Sequence, residues 1–174
     1  MPIARTLACA AALLVASAPV AADEIYLTLG AANGSFEADA PAGCTLDSKS
    51  SRATGATAGI GFAFDAHYAV EFGYLGLGGL DLEGSCPPVT NVTINAPDSG
   101  LQVSAVGRWA FDSRWAALGR LGAFSWSEAA ASGTETVLGL GGEYSWQPHW
   151  AVRLEYLALG SDLDALALTL RIGF

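Results

Sequence analysis

Along most of this chain, apolar side chains alternate with polar or very small ones, and the alternation recurs eight times. A period of two puts successive side chains on opposite faces of an extended strand. The pattern predicts strands over 25–34, 56–64, 68–77, 101–111, 115–125, 136–146, 150–159 and 165–174. Each has roughly the length that a tilted strand needs to cross a bilayer. The links between them differ in kind. Asp65-Ala66-His67, Asp112-Ser113-Arg114 and Gln147-Pro148-His149 are tight turns of turn-forming residues. The others are longer on average, at 35–55, 78–100 and 126–135, with a short fourth at 160–164. Short and long links alternate, which is the layout of an up-and-down antiparallel barrel. The expected fold is all-β: an eight-stranded antiparallel up-and-down transmembrane β-barrel.

Splitting each predicted strand by parity gives two unlike faces. One carries Ile60, Phe62, Phe72, Tyr74, Leu138, Leu140, Leu168 and their like, and no charge. The other is rich in glycine and small residues and carries every charge of the strand cores: Glu71, Arg108, Arg120, Glu143, Arg153, Glu155 and Arg171. A soluble barrel would turn the apolar face inward. Two features point the other way. The chain's single lysine, Lys49, falls in a link, whereas a water-facing sheet favours long charged side chains. The bulky aromatics also gather beside the tight turns and at the end of the chain: Phe64 and Tyr68, Phe111 and Trp115, Trp146 and Trp150, and Phe174. A girdle of that kind marks a membrane interface. The apolar face is therefore expected to meet lipid, and the seven charges to pair inside a narrow lumen that eight strands leave just wide enough to fill.

The first 22 residues carry one positive charge, Arg5, then an apolar run to about Ala18, then small residues at Val20 and Ala22. That is the layout of a secretory signal, and the run is too short to span a membrane. The expected organisation is a signal peptide over 1–22 and one barrel domain over 23–174. Only Arg5 of the charges lies in the leader, leaving 7 basic against 17 acidic residues. Such acidity argues against a nucleic-acid partner and against binding to anionic phosphates. Two of the three cysteines, Cys44 and Cys86, follow the leader, and in an exported chain they are expected to form one disulfide.

With these residues in view, the chain resembles the OmpA/OmpX-type and opacity-protein-like family of small outer-membrane barrels. The carriers are Tyr26-Leu27-Thr28-Leu29-Gly30-Ala31, the run Tyr68 to Gly78, Arg120-Leu121-Gly122-Ala123 and Gly139-Leu140-Gly141-Gly142-Glu143-Tyr144. The ending Leu168-Thr169-Leu170-Arg171-Ile172-Gly173-Phe174 is similar to the family's C-terminal signal. The resemblance implies residence in the outer membrane of a Gram-negative bacterium, among lipid and lipopolysaccharide. It also implies that Leu170, Ile172 and Phe174 are read by the barrel-assembly machinery. Members of the family serve envelope integrity, adhesion or resistance through their extracellular loops. The expectation for this chain is such a structural or surface-interaction role, as a monomer with a plugged lumen and a possible host or surface ligand on its loops.

Some barrels of this size are lipid A-modifying enzymes, which need a nucleophilic serine with a histidine base. The two histidines, His67 and His149, both fall in tight turns, away from the longer links. No catalysis is expected, and no metal or cofactor. A conduit for small hydrophobic molecules is the other class considered. Leu75, Val106 and Leu118 have lumen parity and could form an apolar patch for one, although filling the core explains them equally.

Overall fold

The computed structural model describes residues 24–37, 40, 44–46, 50–86, 89–95, 97–127 and 132–174. The expected signal peptide, with its cut after Ala22, lies outside them. Eleven strands follow in order: β1 (Glu24–Glu37), β2 (Thr45–Leu46), β3 (Ser50–Ala63), β4 (Tyr68–Gly76), β5 (Asp81–Cys86), β6 (Val89–Asn95), β7 (Ser99–Ala110), β8 (Trp115–Ser127), β9 (Ser132–Gln147), β10 (Trp150–Leu159) and β11 (Leu163–Gly173). Eight of them close a barrel in the order β1-β11-β10-β9-β8-β7-β4-β3, every pair antiparallel. The expected architecture is thus the observed one. Closure leaves the barrel without an unpaired edge.

Two of the tight turns use the same device. Asp65 accepts hydrogen bonds at one carboxylate oxygen from the backbone N–H groups of His67 (2.6 Å) and Tyr68 (2.8 Å). Asp112 does the same for Arg114 and Trp115, both at 2.7 Å. The aspartate side chain mimics a backbone acceptor and sets the turn locally. Flanking aromatics follow from the shared sequence Phe-Asp-X-X-aromatic.

The long links hold more structure than expected. β1, β3 and β9 continue past the bilayer-length segments, and β2, β5 and β6 form a separate three-stranded sheet. Strict alternation could not find this sheet, because Val89–Asn95 reads Val-Thr-Asn-Val-Thr-Ile-Asn with no period of two. Its β-branched content was the available signal.

Burial settles which face is which. Leu140 is 74% exposed and Leu101 68%, whereas Arg153 and Glu143 are 2% and 0%. Apolar side chains form the outside of the closed sheet and charged ones the inside, the reverse of a water-soluble barrel.

The inside is layered along the barrel axis. On β4, going from the tight-turn end, the inward residues run Ala69, Glu71, Gly73, Leu75; on β8 they run Leu118, Arg120, Gly122, Phe124; on β10 they run Arg153, Glu155, Leu157, Leu159. Charge therefore gathers toward the tight-turn end. An apolar cluster of Leu75, Leu77, Leu80, Phe124, Val137, Leu157, Leu159 and Leu163 fills the long-link end. This corrects the expectation of one small apolar patch from Leu75, Val106 and Leu118. Leu75 belongs to the long-link cluster, whereas Val106 and Leu118 pack with Tyr26 and Ala69 in a second cluster. The charged belt separates the two, since each strand can place only one side chain at each level of the lumen.

Candidate functional site in the barrel lumen

The belt is built from alternating charges on β4, β7, β8, β9 and β10. Arg108 donates from Nε to one oxygen of Glu143 at 2.7 Å, and Arg153 donates from Nε to the other at 2.6 Å. Arg153 reaches on through Nη1 to Glu71 at 2.6 Å. The second oxygen of Glu71 lies 2.6 Å from Arg120 Nη2. Arg120 then grips Glu155 with Nε and Nη2, at 3.1 and 2.9 Å. The result is an unbroken series, Arg108–Glu143–Arg153–Glu71–Arg120–Glu155. Arg171 stands beside it and donates to Glu24 at 2.5 Å.

Tyr26 ties the two parts together. Its hydroxyl donates to Glu71 at 2.6 Å, and its ring lies 5.0 Å from the Arg153 guanidinium carbon and 4.4 Å from that of Arg171. Cations over an aromatic face are attracted by the ring quadrupole, more strongly where water is scarce. The seven residues singled out from the sequence all lie in the lumen, six of them in one series. Glu24 and Tyr26 complete the set. Parity along the first strand, where Glu24, Tyr26 and Thr28 share the inward face, was the signal for them.

Glycine makes the belt possible at two places of close approach. A Cβ on Gly61 would lie 2.1 Å from the Tyr26 ring. One on Gly139 would lie 2.9 Å from Cβ of Arg120, its cross-strand partner. Bulky inward side chains thus face glycines on the neighbouring strand.

Charges taken from water need compensation, and here four arginines meet four glutamates, so the lumen is balanced. Arg120 also donates to Ser104 at 3.2 Å, and Ser104 in turn accepts from Gln102 at 2.7 Å. Beside this group lies a cavity of about 40 Å³, lined by Thr28, Thr57, Gln102, Ser104, Glu155 and Thr169 among others. It is polar and large enough for ordered water. At the tight-turn end a second cavity of about 200 Å³ opens among Glu24, Arg108, Arg171, His67 and Ser145.

The other residues singled out lie away from this belt. Leu170 and Ile172 stand half-buried on the outer wall, and Phe174 is 71% exposed with its backbone N–H donating to Ile25 at 2.9 Å. Cys44 immediately precedes β2, and Cys86 ends β5, its partner in the small sheet. Among the described residues no group of three His, Cys, Asp or Glu side chains could hold a metal ion.

A family model described as an outer membrane protein beta-barrel domain matches residues 7–173. Among solved structures, the outer membrane protein OprG from Pseudomonas aeruginosa aligns with a TM-score of 0.52 at 11% identity, covering 87% of this chain and 95% of that one. A de novo designed transmembrane beta-barrel aligns at a TM-score of 0.50 and 12% identity, covering 87% and 95%. Ail of Yersinia pestis in a phospholipid bilayer nanodisc gives 0.48 at 16% identity, covering 87% and 99%. At such identities the likeness concerns the fold alone. Searched against curated proteins, the chain has no match.

Proposed function

We propose that this chain, which belongs to the outer membrane protein beta-barrel family and resides in the Gram-negative outer membrane, acts as a closed structural barrel that presents its loops at the cell surface. The observation that carries the reading is the filled lumen. A charged belt crosses it near the tight-turn end, and an apolar cluster fills the end that the family's orientation turns outward. With the axis crossed by the belt and packed by the cluster, interaction falls to the segments beyond the bilayer: the extensions of β1, β3 and β9, and the sheet of β2, β5 and β6.

Those segments and their links carry Glu37, Asp39, Asp47, Asp81, Glu83, Asp98, Glu128 and Glu135 against Lys49 and Arg52. An acidic crown suits a basic surface ligand, or divalent cations bridging to lipopolysaccharide. The same reading joins Cys44 to Cys86 in a disulfide. Thr45 pairs with Ser85 and Leu46 with Gly84, so extending that register by one residue sets Cys44 against Cys86. It also keeps the signal peptide of 1–22, a monomeric barrel, assembly through Leu170, Ile172 and Phe174, and no catalysis. In support of the last, His67 and His149 both stand at the tight-turn end.

A conduit for small hydrophobic molecules would need the apolar cluster to continue through the belt. Conductance across planar bilayers tests the closed barrel: purified protein is expected to pass no steady current. Large, steady single-channel currents would overturn it, and a lipid-like molecule reproducibly retained in mild detergent would favour the conduit.

A further inference from the structure

The outer wall of the barrel is not evenly filled. Across neighbouring strands the register sets Tyr68, Gly107, Gly119, Leu140 and Tyr156 in one outward row. The next row, one step toward the long links, holds Val70, Ala105, Leu121 and Leu138. Ala105, Gly107 and Gly119 therefore form a low floor between taller side chains. The Trp109 ring bounds that floor on the tight-turn side: a Cβ on Gly107 would lie 2.5 Å from the ring, and one on Gly119 3.2 Å. The result is a hollow of about 690 Å³ in the outer wall, with Tyr68 and Val70 on one flank and Leu121, Leu138 and Leu140 on the other.

The hollow is apolar. Arg120 borders it but turns its guanidinium inward, to Glu71 and Glu155. Such a lining gives water no hydrogen-bond partners, and left empty it would forfeit dispersion contacts. The hollow is continuous with the wall that meets the bilayer, where Leu121 and Leu140 stand exposed. What fills it is therefore drawn from the bilayer. Neighbouring strands lie about 4.8 Å apart, so a floor two strands wide suits a single hydrocarbon chain. It is too narrow for the convex wall of a second barrel.

We propose that this hollow is a binding site for one acyl chain of a phospholipid, held in preference to the lipid that solvates the rest of the wall. The floor lies toward the tight-turn ends of β7 and β8. In the family's orientation that places the phospholipid in the periplasmic leaflet, with Tyr68 and Trp109 toward the headgroups. The chain lies outside the closed sheet, so the site is independent of whether the lumen conducts and of whatever the loops bind.

A phosphatidylcholine carrying a photoreactive diazirine midway along one chain tests this, mixed as a small share into phosphatidylethanolamine–phosphatidylglycerol vesicles that hold the refolded barrel. After illumination, peptide mass spectrometry maps the labelled residues. The comparison is with Leu27, Leu29 and Leu170 on the opposite wall, since β1 stands four strands from β8 in a closed ring of eight. Leu121, Leu138 and Leu140 are expected to carry about fivefold more label than those three. That ratio corresponds to ~1 kcal/mol, which about ten added dispersion contacts supply. Ala105→Phe fills the floor and should bring the ratio within a factor of two of unity, whereas Ala31→Phe on the far wall should leave it unchanged. Even labelling in the wild type would mean ordinary solvation by lipid and would overturn the proposal. So would a ratio that survives Ala105→Phe. Label concentrated on Phe124 and Leu157 would put the chain in the lumen instead, and a hollow labelled less than the far wall would mean that a second copy covers it; either result overturns the proposal. Should Ala105→Phe fail to refold, the wild-type map decides alone.

Discussion

Tyr26 and Glu71 stand 45 residues apart in the chain, yet the tyrosine hydroxyl donates to the glutamate over 2.6 Å inside the barrel. The contact joins β1 to β4 across the strand between them, β3, which carries only Gly61 at that level. Tyr26→Phe keeps the ring under both arginines and removes one donor to a carboxylate that retains two arginines. The expected loss is about 1.5–3 kcal/mol, the range for a hydrogen bond to a charged group. Urea unfolding in lipid vesicles measures it. Gly61→Val should cost at least as much, since its side chain would enter the space of the Tyr26 ring.

Arg153 is the centre of the belt, paired with both Glu71 and Glu143. Arg153→Met leaves two buried carboxylates short of a partner, and a loss of about 3–5 kcal/mol is expected. Adding Glu143→Gln should restore part of it by removing one of the stranded charges. A double variant no more stable than the single one would show that the pairing is not what Arg153 contributes.

The two turn aspartates predict a pH effect with a definite sign. Paired backbone N–H donors hold the carboxyls of Asp65 and Asp112 below the ordinary aspartate range, and both groups are fully exposed. A depressed folded-state pKa contributes stability that is present above the unfolded value, about 3.9, and fades as pH falls through the folded value. Carboxyl chemical shifts followed against pH should give both midpoints below ordinary aspartate. Asp65→Asn should flatten the acid limb of the stability curve. A midpoint at the ordinary value would mean that the turn geometry is not kept in solution.

For Cys44 and Cys86, intact-mass measurement on protein from the envelope should show a gain of two hydrogens on reduction. A disulfide closing that loop contributes about 3–4 kcal/mol in the chain-entropy model. Two free thiols in the untreated protein would refute the pairing.

Phe174 offers a separation between assembly and stability. Its exposed ring adds one rim side chain to the finished barrel, and its N–H bonds Ile25 beside the seam where β11 meets β1. Deleting it should lower the yield of folded barrel in cells far more than the yield on refolding into detergent. Equal losses in both would mean that Phe174 acts through stability alone.

The sequence by itself determined the eight crossing strands, the two faces of each, the aromatic rim and the confinement of charge to one face. All of these follow from a period of two and from local turn chemistry, which are properties of neighbouring residues. Only the tertiary structure decided which arginine meets which glutamate. Arg153 and Glu71 are 82 residues apart, and Arg171 and Glu24 are 147. Parity sends all of them inward but says nothing of their height along the axis, which depends on the stagger of eight strands closing on one another. The same stagger set the layers. Leu157, Phe124 and Val137 have inward parity as plainly as Glu155 or Arg120, but that they meet in one apolar cluster above the charged belt became visible only once the strands were in register. The sheet of β2, β5 and β6 lay outside both kinds of signal, since β5 and β6 pair within one long link without a strict period of two, and β2 joins them from another.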